Sequence, residues 1–329
     1  MNADVDLPDF DAVVAAAGRI NGRVLRTPVI SFERFNVRVG AQVFFKCENL
    51  QTGGSFKLRG ATNAVLQLDP ARTPVVVTHS SGNHGAAIAL AARARGMRAV
   101  IVMPRDSAAT KLAAVTAAGA EIVLCEPGTA AREAALAELL QRQPAAVVHP
   151  FDDSRVIAGQ GTAALELLAE VPDLDCIVAP IGGGGLIGGT ALAAKGTNPA
   201  LRVIAAEPQM ADDAFRSFQS GKRQGAGVPD TIADGLRGSI GLRNFALLQR
   251  YVDDVVTVSE AAIVAAMRIA LDELKLLVEP SAAVAVASVV CNLLGAQSIG
   301  QTPRIGVILS GGNVDLARCP FLSGARLSN

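Results

Sequence analysis

The sequence predicts an α/β fold built from mostly parallel β-sheets flanked by helices. Short β-branched segments alternate with glycine or serine turns and alanine-rich segments over most of the 329 residues. Half of the residues are hydrophobic, 18% are charged and only 4% are aromatic. Small aliphatic residues suit buried parallel strands packed closely against helices, and their alternation indicates right-handed βαβ units. The length indicates two domains or one large domain.

The predicted elements follow one another in this alternating order. A strand-like segment at residues 43–46 precedes a glycine turn at Gly53 and Gly54. Short β-branched segments then predict strands at residues 74–78, 99–103, 121–124, 176–179, 201–206 and 305–309. Alanine-rich segments predict helices at residues 85–95, 107–118, 130–142, 186–195, 259–274 and 280–294. The composition changes near residues 150–153, where we expect a boundary between domains.

The charge balance and the cysteine pattern argue against several classes of protein. Thirty basic residues match thirty acidic ones, so no basic excess favours nucleic acid or an anionic membrane as a partner. Five irregularly spaced cysteines are typical of free thiols in a reducing cytosol, rather than of disulfides or a zinc site. The N-terminal residues do not predict a signal peptide, and no segment predicts a convincing membrane span. We therefore expect a cytoplasmic protein.

Lys57 is the candidate catalytic residue. It lies in the segment Ser-Phe-Lys-Leu-Arg-Gly at residues 55–60, at the mouth of a predicted turn. Its apolar neighbours and the guanidinium of Arg59 would lower the pKa of its amine, which makes an amine a base or a nucleophile. The alternative is a solvated surface lysine, the commoner environment for this residue. Three glycine-rich turns elsewhere in the chain favour the catalytic role.

The first of these turns is a run of four glycines, residues 182–185, between a predicted strand and a predicted helix. Glycines there let successive backbone N–H groups converge on an anion, and the helix dipole adds positive charge, so the run predicts a phosphate site. A flexible linker is the less favoured alternative. The segment also matches G-x-G-x-x-G through Gly183, Gly185 and Gly188, with Glu207 ending the next strand. A nicotinamide-dinucleotide site is therefore a second interpretation.

Two further polar turns follow predicted strands. They are His-Ser-Ser-Gly-Asn-His-Gly at residues 79–85 and Ser-Gly-Gly-Asn at residues 310–313. Open α/β sheets bind ligands outside the carboxyl ends of their strands, so the polar groups of the first turn would face a bound ligand. A helix N-cap would account for one polar residue in the first turn, but not for five.

An acidic cluster follows the predicted strand at residues 201–206. Glu207 and Asp213 could supply two oxygens to magnesium or calcium. The alternative is a pair of carboxylates that stabilise a helix N-terminus, and spacing alone favours it. No H-E-x-x-H or G-x-S-x-G motif indicates another hydrolytic or metal centre.

The four motifs, in this order, resemble those of the pyridoxal-phosphate-dependent serine/threonine dehydratases and serine racemases. The resemblance spans about residues 30–320 and implies the two-domain fold called type II, as in tryptophan synthase β subunits. It implies a large cofactor-binding domain from residues 1–52 and 152–329, and a small domain from residues 53–151. It further implies pyridoxal 5′-phosphate, Mg²⁺ (or Ca²⁺ or Mn²⁺), a small amino-acid substrate and a homodimer.

The resemblance also implies a role for each matching residue. Lys57 would bind the cofactor and act as the base on one face of the substrate Cα, and Ser81 would handle the proton on the opposite face. The other cofactor-binding residues would be Asn83 at the phenolic oxygen, Gly182, Gly183, Gly184, Gly185 and Leu186 at the phosphate, and Ser310 at the pyridine nitrogen. The substrate would contact Ser80, Ser81, Asn83, His84 and Arg132. The cation would bind Glu207, Asp213 and the carbonyl of Ala211, which reverses the preference for a helix cap.

The implied activity is that of an ammonia-lyase, which dehydrates a β-hydroxy amino acid such as L-serine or L-threonine to a 2-oxo acid and ammonia. Serine racemisation is a second activity open to it. Gly238 stands where serine racemases have a substrate-facing serine, and the room beside Arg237 could suit a β-carboxylate. Dehydration of threo-3-hydroxyaspartate is therefore the alternative, since the chain is also similar to hydroxyaspartate dehydratases. A nicotinamide-dependent oxidoreductase and a non-catalytic amino-acid sensor are remoter alternatives.

Overall fold

The computed structural model describes residues 6–80, 82–107, 109–295, 302–319 and 321, without the side chains of Thr129 and Arg318. The strands are β1 (Val29–Ile30), β2 (Gln42–Lys46), β3 (Val75–His79), β4 (Arg98–Pro104), β5 (Glu121–Cys125), β6 (Ala146–Val147), β7 (Cys176–Pro180), β8 (Arg202–Pro208), β9 (Asp254–Val258) and β10 (Arg304–Ile308). The helices are α1 (Phe10–Ile20), α2 (Glu33–Val39), α3 (Lys57–Leu66), α4 (Asn83–Ala94), α5 (Ala109–Ala117), α6 (Thr129–Arg142), α7 (Ser154–Glu170), α8 (Gly185–Thr197), α9 (Asp213–Ser220), α10 (Leu242–Tyr251), α11 (Glu260–Asp272) and α12 (Pro280–Val290).

The strands form two sheets, as expected for two α/β domains. One sheet has six strands in the order β1-β2-β10-β7-β8-β9, and the other has four in the order β5-β4-β3-β6. Neighbouring strands are parallel except for β1 and β2. Every residue of β3 and of β7 is buried, because helices cover both faces of a parallel sheet. The predicted fold class is confirmed.

The predicted strands and helices are all present, with ends displaced by a few residues. The helix expected at residues 280–294 ends earlier, at Val290. Lys57 does not lie in a turn, because it is the first residue of α3. The sequence did not indicate β1, β6 and β9, or the helices α1, α2, α3, α7 and α10.

The most consequential of these missed elements is the long central helix α7. It carries Gly159 and Gly161, which weaken a helix prediction from sequence. The structure explains both residues. A Cβ atom on Gly159 would lie 2.6 Å from the Cα of Gly60, and one on Gly161 would lie 2.6 Å from the carbonyl oxygen of Gly189. The two glycines thus allow α3 and α8 to pack closely against α7. Because Lys57 is the first residue of α3, its position depends on this packing.

The residue boundaries of the two domains stay a prediction. The four-stranded sheet uses residues between 75 and 147, and the six-stranded sheet uses residues 29–46 and 176–308. In the ranges that the structure describes, no helix is both long and apolar enough to cross a bilayer.

Candidate active site

Lys57 presents its amine to the end of the turn that precedes α7. Its Nζ donates to the carbonyl oxygen of Pro150 at 3.0 Å and lies 5.1 Å from the centroid of the Phe56 ring. Burial lowers the pKa of Lys57 to about 8, and the negative charge of Glu279 opposes that shift. A larger fraction of the amine is therefore neutral near neutral pH than for an ordinary lysine, which favours its action as a base or a nucleophile.

The lowered pKa of Lys57 was predicted, but its predicted cause was partly wrong. The guanidinium of Arg59 contributes little because it is neutralised by Glu48 and Glu166, with nitrogen–oxygen distances of 2.7–2.8 Å. Arg59 and Glu48 are completely buried. Burial opposes the charge of Arg59, but the two carboxylates outweigh it and raise the pKa. Arg59 is thus part of the support beneath Lys57.

The four-glycine run lies between β7 and α8, as predicted. Its first residues are closely covered: a Cβ on Gly182 would lie 2.7 Å from the Cα of Leu236, and one on Gly183 would lie 2.3 Å from Cγ of Phe151. Gly184 has a φ of +91°, which favours glycine. In the described part of the chain, the backbone N–H groups of residues 182–186 donate to no protein acceptor. Several free N–H groups at the start of a 13-residue helix fit a phosphate group.

The Ser-Gly-Gly-Asn turn lies beside Lys57. The carbonyl oxygen of Ser310 accepts from the N–H of Phe56 at 3.0 Å, and Ser310 is buried. Nδ2 of Asn313 donates to Oδ1 of Asn83 at 3.0 Å and to the carbonyl of Gly53 at 2.8 Å. The structure therefore brings the lysine segment, the Asn83 turn and the Ser310 turn together.

Glu279 is a site residue to which sequence analysis gave no role. Its two carboxylate oxygens accept from Nδ2 of Asn83 at 2.9 and 3.0 Å. Burial raises the pKa of Glu279 to about 7, against the hydrogen bond from Asn83. The sequence signal was the segment Glu279-Pro280-Ser281, in which Glu279 is the N-cap residue of α12 and Pro280 its first residue. Its placement beside Asn83 and Lys57 depends on contacts that sequence spacing does not reveal.

Of the predicted substrate residues that the structure describes, Ser80 follows β3, Asn83 and His84 begin α4, and Arg132 lies in α6. His84 is 2% exposed, and within the described residues neither of its ring nitrogens has a hydrogen-bond partner. Burial and the charge of Lys57 lower the pKa of His84 well below its usual range. Ser80 accepts from the N–H of Gly82 at 3.3 Å through its hydroxyl. Arg132 lies in α6, where its Nε donates to the carbonyl of Gly128 at 3.4 Å. Ser81 lies outside the described residues.

Near this site, an ion pair joins a helix beside the four-stranded sheet to a segment beside the six-stranded sheet. Lys111 of α5 contacts the carboxylate of Asp234, in the loop after β8 and α9. A Cβ on Gly82 would lie 3.9 Å from the Lys111 Nζ. The contact could not be predicted from sequence, because Lys111 lies between two strands of the four-stranded sheet and Asp234 between two strands of the six-stranded sheet.

The acidic cluster shows features of both predicted interpretations. Glu207 accepts from the N–H groups of Ala214 and Phe215 at 3.0 and 2.8 Å, so it does cap α9. Oδ2 of Asp213 accepts from the N–H of Ile240 at 2.8 Å, while Oδ1 is buried and has no partner in the described residues. Burial raises the pKa of Glu207 to about 9 and that of Asp213 to about 6. No cluster of three His, Cys, Asp or Glu side chains suited to a metal occurs in the ranges described.

The nicotinamide interpretation does not fit this arrangement. Glu207 is completely buried, and both of its oxygens are used by the helix that it caps. A ribose is too large to reach this buried carboxylate, whereas the dinucleotide motif requires the acidic residue to contact a ribose hydroxyl.

A partly neutral lysine amine beside a helix N-terminus with free N–H groups can hold a phosphorylated aldehyde by both of its ends. Both groups lie after the carboxyl ends of parallel strands, where open α/β folds bind ligands. The fold and this site define an enzyme that uses a phosphorylated carbonyl cofactor.

Comparison with known proteins identifies the family. The model for "Pyridoxal-phosphate dependent enzyme" matches residues 20–311. The chain is 46% identical to a serine racemase of Arabidopsis thaliana, with 94% of each chain covered. It is 44% identical to a beta-hydroxyaspartate dehydratase of Paracoccus denitrificans, with 96% of this chain and 99% of that one covered. The solved structure of maize serine racemase superposes with a TM-score of 0.92 at 43% identity and 95% coverage of both chains. The chain belongs to the family of pyridoxal-phosphate dependent enzymes.

Proposed function

We propose that this enzyme dehydrates a β-hydroxy amino acid, such as L-serine or L-threonine, to a 2-oxo acid and ammonia, and that it also racemises serine. The observation that carries the proposal is the desolvated Lys57 amine, whose pKa is lowered to about 8 beside the Asn83 and Ser310 turns. The names of the relatives, serine racemase and beta-hydroxyaspartate dehydratase, support the same reaction class.

The residues of this chain fit pyridoxal phosphate. The N–H groups of residues 182–186 would hold its phosphate, Lys57 its carbonyl carbon, Asn83 its phenolic oxygen and the Ser310 hydroxyl its ring nitrogen. When bound, the cofactor supplies a sink for the electron pair left at the substrate Cα. Lys57 in its neutral form would remove the Cα proton, because burial keeps its amine basic but incompletely charged.

The remaining residues would orient the substrate and exchange protons with it. Ser80, Asn83, His84 and Arg132 would hold the α-carboxylate, and His84 brings buried nitrogens that have no partner in the described residues. Ser81 would donate or accept the proton on the face opposite Lys57. A serine there makes racemisation feasible, because inversion requires proton transfer on both faces.

The alternative substrate is threo-3-hydroxyaspartate, which would give oxaloacetate and ammonia. Gly238 is exposed, and a Cβ built on it would meet the Phe151 ring at an ordinary 3.6 Å. A serine side chain would therefore fit at this position. The glycine is not needed to avoid a steric clash, and it leaves space next to the Phe151 ring. Arg237 lies next to this space, although its guanidinium now donates to the carbonyl of Thr231 at 3.0 and 2.6 Å.

The substrate is tested by measuring 2-oxo acid release from L-serine, L-threonine and L-threo-3-hydroxyaspartate by the cofactor-loaded enzyme with magnesium. Dominant turnover of serine or threonine supports the proposal, and dominant turnover of hydroxyaspartate supports the alternative. Gly238→Ser is the matched variant, since it fills the space without a clash. Under the alternative it should lower hydroxyaspartate turnover more than serine turnover. No turnover and no racemisation of any of the three would refute both.

We further propose that Glu207, Asp213 and the carbonyl of Ala211 bind Mg²⁺, or Ca²⁺ or Mn²⁺. The partnerless Oδ1 of Asp213 supports a cation, because a buried carboxylate oxygen needs a donor or a positive charge. Two carboxylates with carbonyls and waters suffice for such ions. Chelation should lower the melting temperature of the wild type but not that of Asp213→Asn. Equal melting curves with and without chelator in the wild type would refute the site.

The assembly and the location are proposed from the family resemblance and the cysteines. We propose a homodimer, which sedimentation equilibrium tests directly.

All five cysteines are free in the structure, which supports a reducing compartment such as the cytoplasm. Fractionation of cells that express the chain tests this location.

A further inference from the structure

The turn at residues 149–152 joins the parts of the site that lie far apart in the sequence. Its first residue, His149, follows β6 and is partly buried. Nδ1 of His149 accepts from the N–H of Asp152 at 2.9 Å and from the N–H of Phe151 at 3.3 Å. A ring nitrogen that accepts cannot carry a proton, so the imidazole is neutral with its proton on Nε2.

Each of the next three residues then contacts a different part of the site. The carbonyl of Pro150 accepts from Lys57 Nζ at 3.0 Å. The Phe151 ring covers Gly183, where a Cβ would come within 2.3 Å of it. The Asp152 carboxylate accepts from the N–H groups of residues 242 and 243 at 3.1 and 2.9 Å, at the start of α10. The acceptor on His149 therefore fixes a turn that orients the amine and the phosphate-binding glycines together.

The ring of His149 also packs against other rings, so its packing role must be separated from its role as a hydrogen-bond acceptor. It lies edge-on to His79, with centroids 5.3 Å apart, and edge-on to Phe151, with centroids 4.6 Å apart. These contacts are packing and would be satisfied by any flat ring. The hydrogen bonds at Nδ1 would be satisfied by asparagine, whose Oδ1 occupies the same place along the side chain and accepts from backbone N–H groups in turns.

We propose that His149 is a positioning residue of this enzyme, acting through the turn at residues 149–152 on Lys57 and on the glycines that hold the phosphate. Burial lowers its pKa to about 4, which keeps the acceptor nitrogen unprotonated over the working pH range. The inference rests on the proposed function only in that Lys57 and residues 182–186 receive pyridoxal phosphate.

A matched pair of variants separates the hydrogen bonds from the ring. His149→Phe keeps a flat ring and loses the acceptor, whereas His149→Asn keeps an acceptor and loses the ring. We expect His149→Phe to weaken pyridoxal-phosphate binding, followed by absorbance, and to lower kcat about tenfold or more with a smaller change in KM, because misplaced groups react slowly. His149→Asn should keep most of the affinity and of kcat. An equal loss in both variants, or none in His149→Phe, would overturn the proposal.

A second measurement reads the tautomer of His149 in the wild type and needs neither activity nor the cofactor. ¹⁵N NMR of the protein, with the His149 signal assigned by its absence in His149→Asn, should show an unprotonated Nδ1 and a protonated Nε2. A proton on Nδ1 would refute the hydrogen bonds and with them the proposal. Failure of the wild type to bind pyridoxal phosphate would refute the proposed function instead. The tautomer of His149 would still show whether its Nδ1 accepts the two hydrogen bonds of the turn.

Discussion

Lys57 and Arg59 are two basic residues in the first turn of α3, and their surroundings shift their pKa values in opposite directions. Arg59 is completely buried and is held by both Glu48 and Glu166, which raise its pKa despite burial. Lys57 donates to a neutral carbonyl, and burial lowers its pKa to about 8. A buried charge with two carboxylates is fixed and serves the structure, whereas a desolvated amine without an ion pair can lose its proton and react.

The cluster around Arg59 also holds the N-terminal segment to α7. Glu166 of α7 binds Arg59 and also accepts from Nζ of Lys46 at 2.6 Å. Lys46 in turn donates to the carbonyl of Thr27 at 2.6 Å. The two carboxylates balance the two cations, so the cluster is neutral although it is largely buried. The reactive lysine thus lies beside a rigid and electrically balanced support.

The largest effect expected from this comparison is the loss of chemistry on replacing Lys57. Lys57→Ala should remove covalent attachment of pyridoxal phosphate and lower the rate of 2-oxo acid release by about a thousandfold or more, since base and nucleophile are lost together. Borohydride reduction followed by mass spectrometry detects the attachment. Lys57→Arg is the control, because it keeps a cation but cannot form the attachment. Attachment and turnover that persist in Lys57→Ala would disprove the assignment.

Replacing Arg59 should instead lower the stability of the folded protein. Arg59→Met leaves the buried Glu48 and the partly buried Glu166 with one cation fewer, which we expect to lower the free energy of unfolding by about 3–5 kcal/mol. Urea titration measures it. The control is Arg98→Met, whose partner Glu121 is as exposed as Arg98 itself at 59%, and which should cost about 0–1 kcal/mol. If both variants lost the same small amount, the cluster would not be a structural support.

The pH dependence of cofactor capture should report the lowered pKa of Lys57. Because the pKa falls from its ordinary 10.5 to about 8, the neutral fraction of the amine rises as pH rises through about 8. The rate of pyridoxal-phosphate attachment to cofactor-free protein should therefore increase with a midpoint near 8. The background from other lysines is measured in Lys57→Ala. A rate that keeps rising toward pH 10.5 without a midpoint near 8 would mean that the amine is solvated.

The smallest expected effect is a change in that midpoint. Glu279 raises the pKa of Lys57 through its negative charge. Glu279→Gln should therefore move the midpoint of attachment to a lower pH than in the wild type, while keeping an acceptor for Asn83. Glu121→Gln, on the exposed surface, is the matched control and should leave the midpoint unchanged. A midpoint that stays in place or rises in Glu279→Gln would show that its charge does not reach Lys57.

Local patterns were sufficient for the fold class and for the candidate motifs. The strands β3, β4, β7 and β10 and the helices α4 and α8 were predicted because alternation and glycine turns depend on neighbouring residues. The glycines at residues 182–185 were assigned to an anion for the same reason, since a strand–turn–helix geometry is a local property. The helix α7 was missed because its glycines serve distant partners, Gly60 and Gly189.

The sequence by itself determined which side chains could do chemistry: Lys57, the four glycines and the polar turns after strands. Only the tertiary structure decided how they behave. Arg59 was expected to lower the pKa of Lys57 and instead is neutralised by Glu166, more than a hundred positions away. Glu279, Pro150 and His149 gained their importance in the same way. Burial and ion pairing set the charge of a group, and both depend on contacts between segments that the order of residues does not place together.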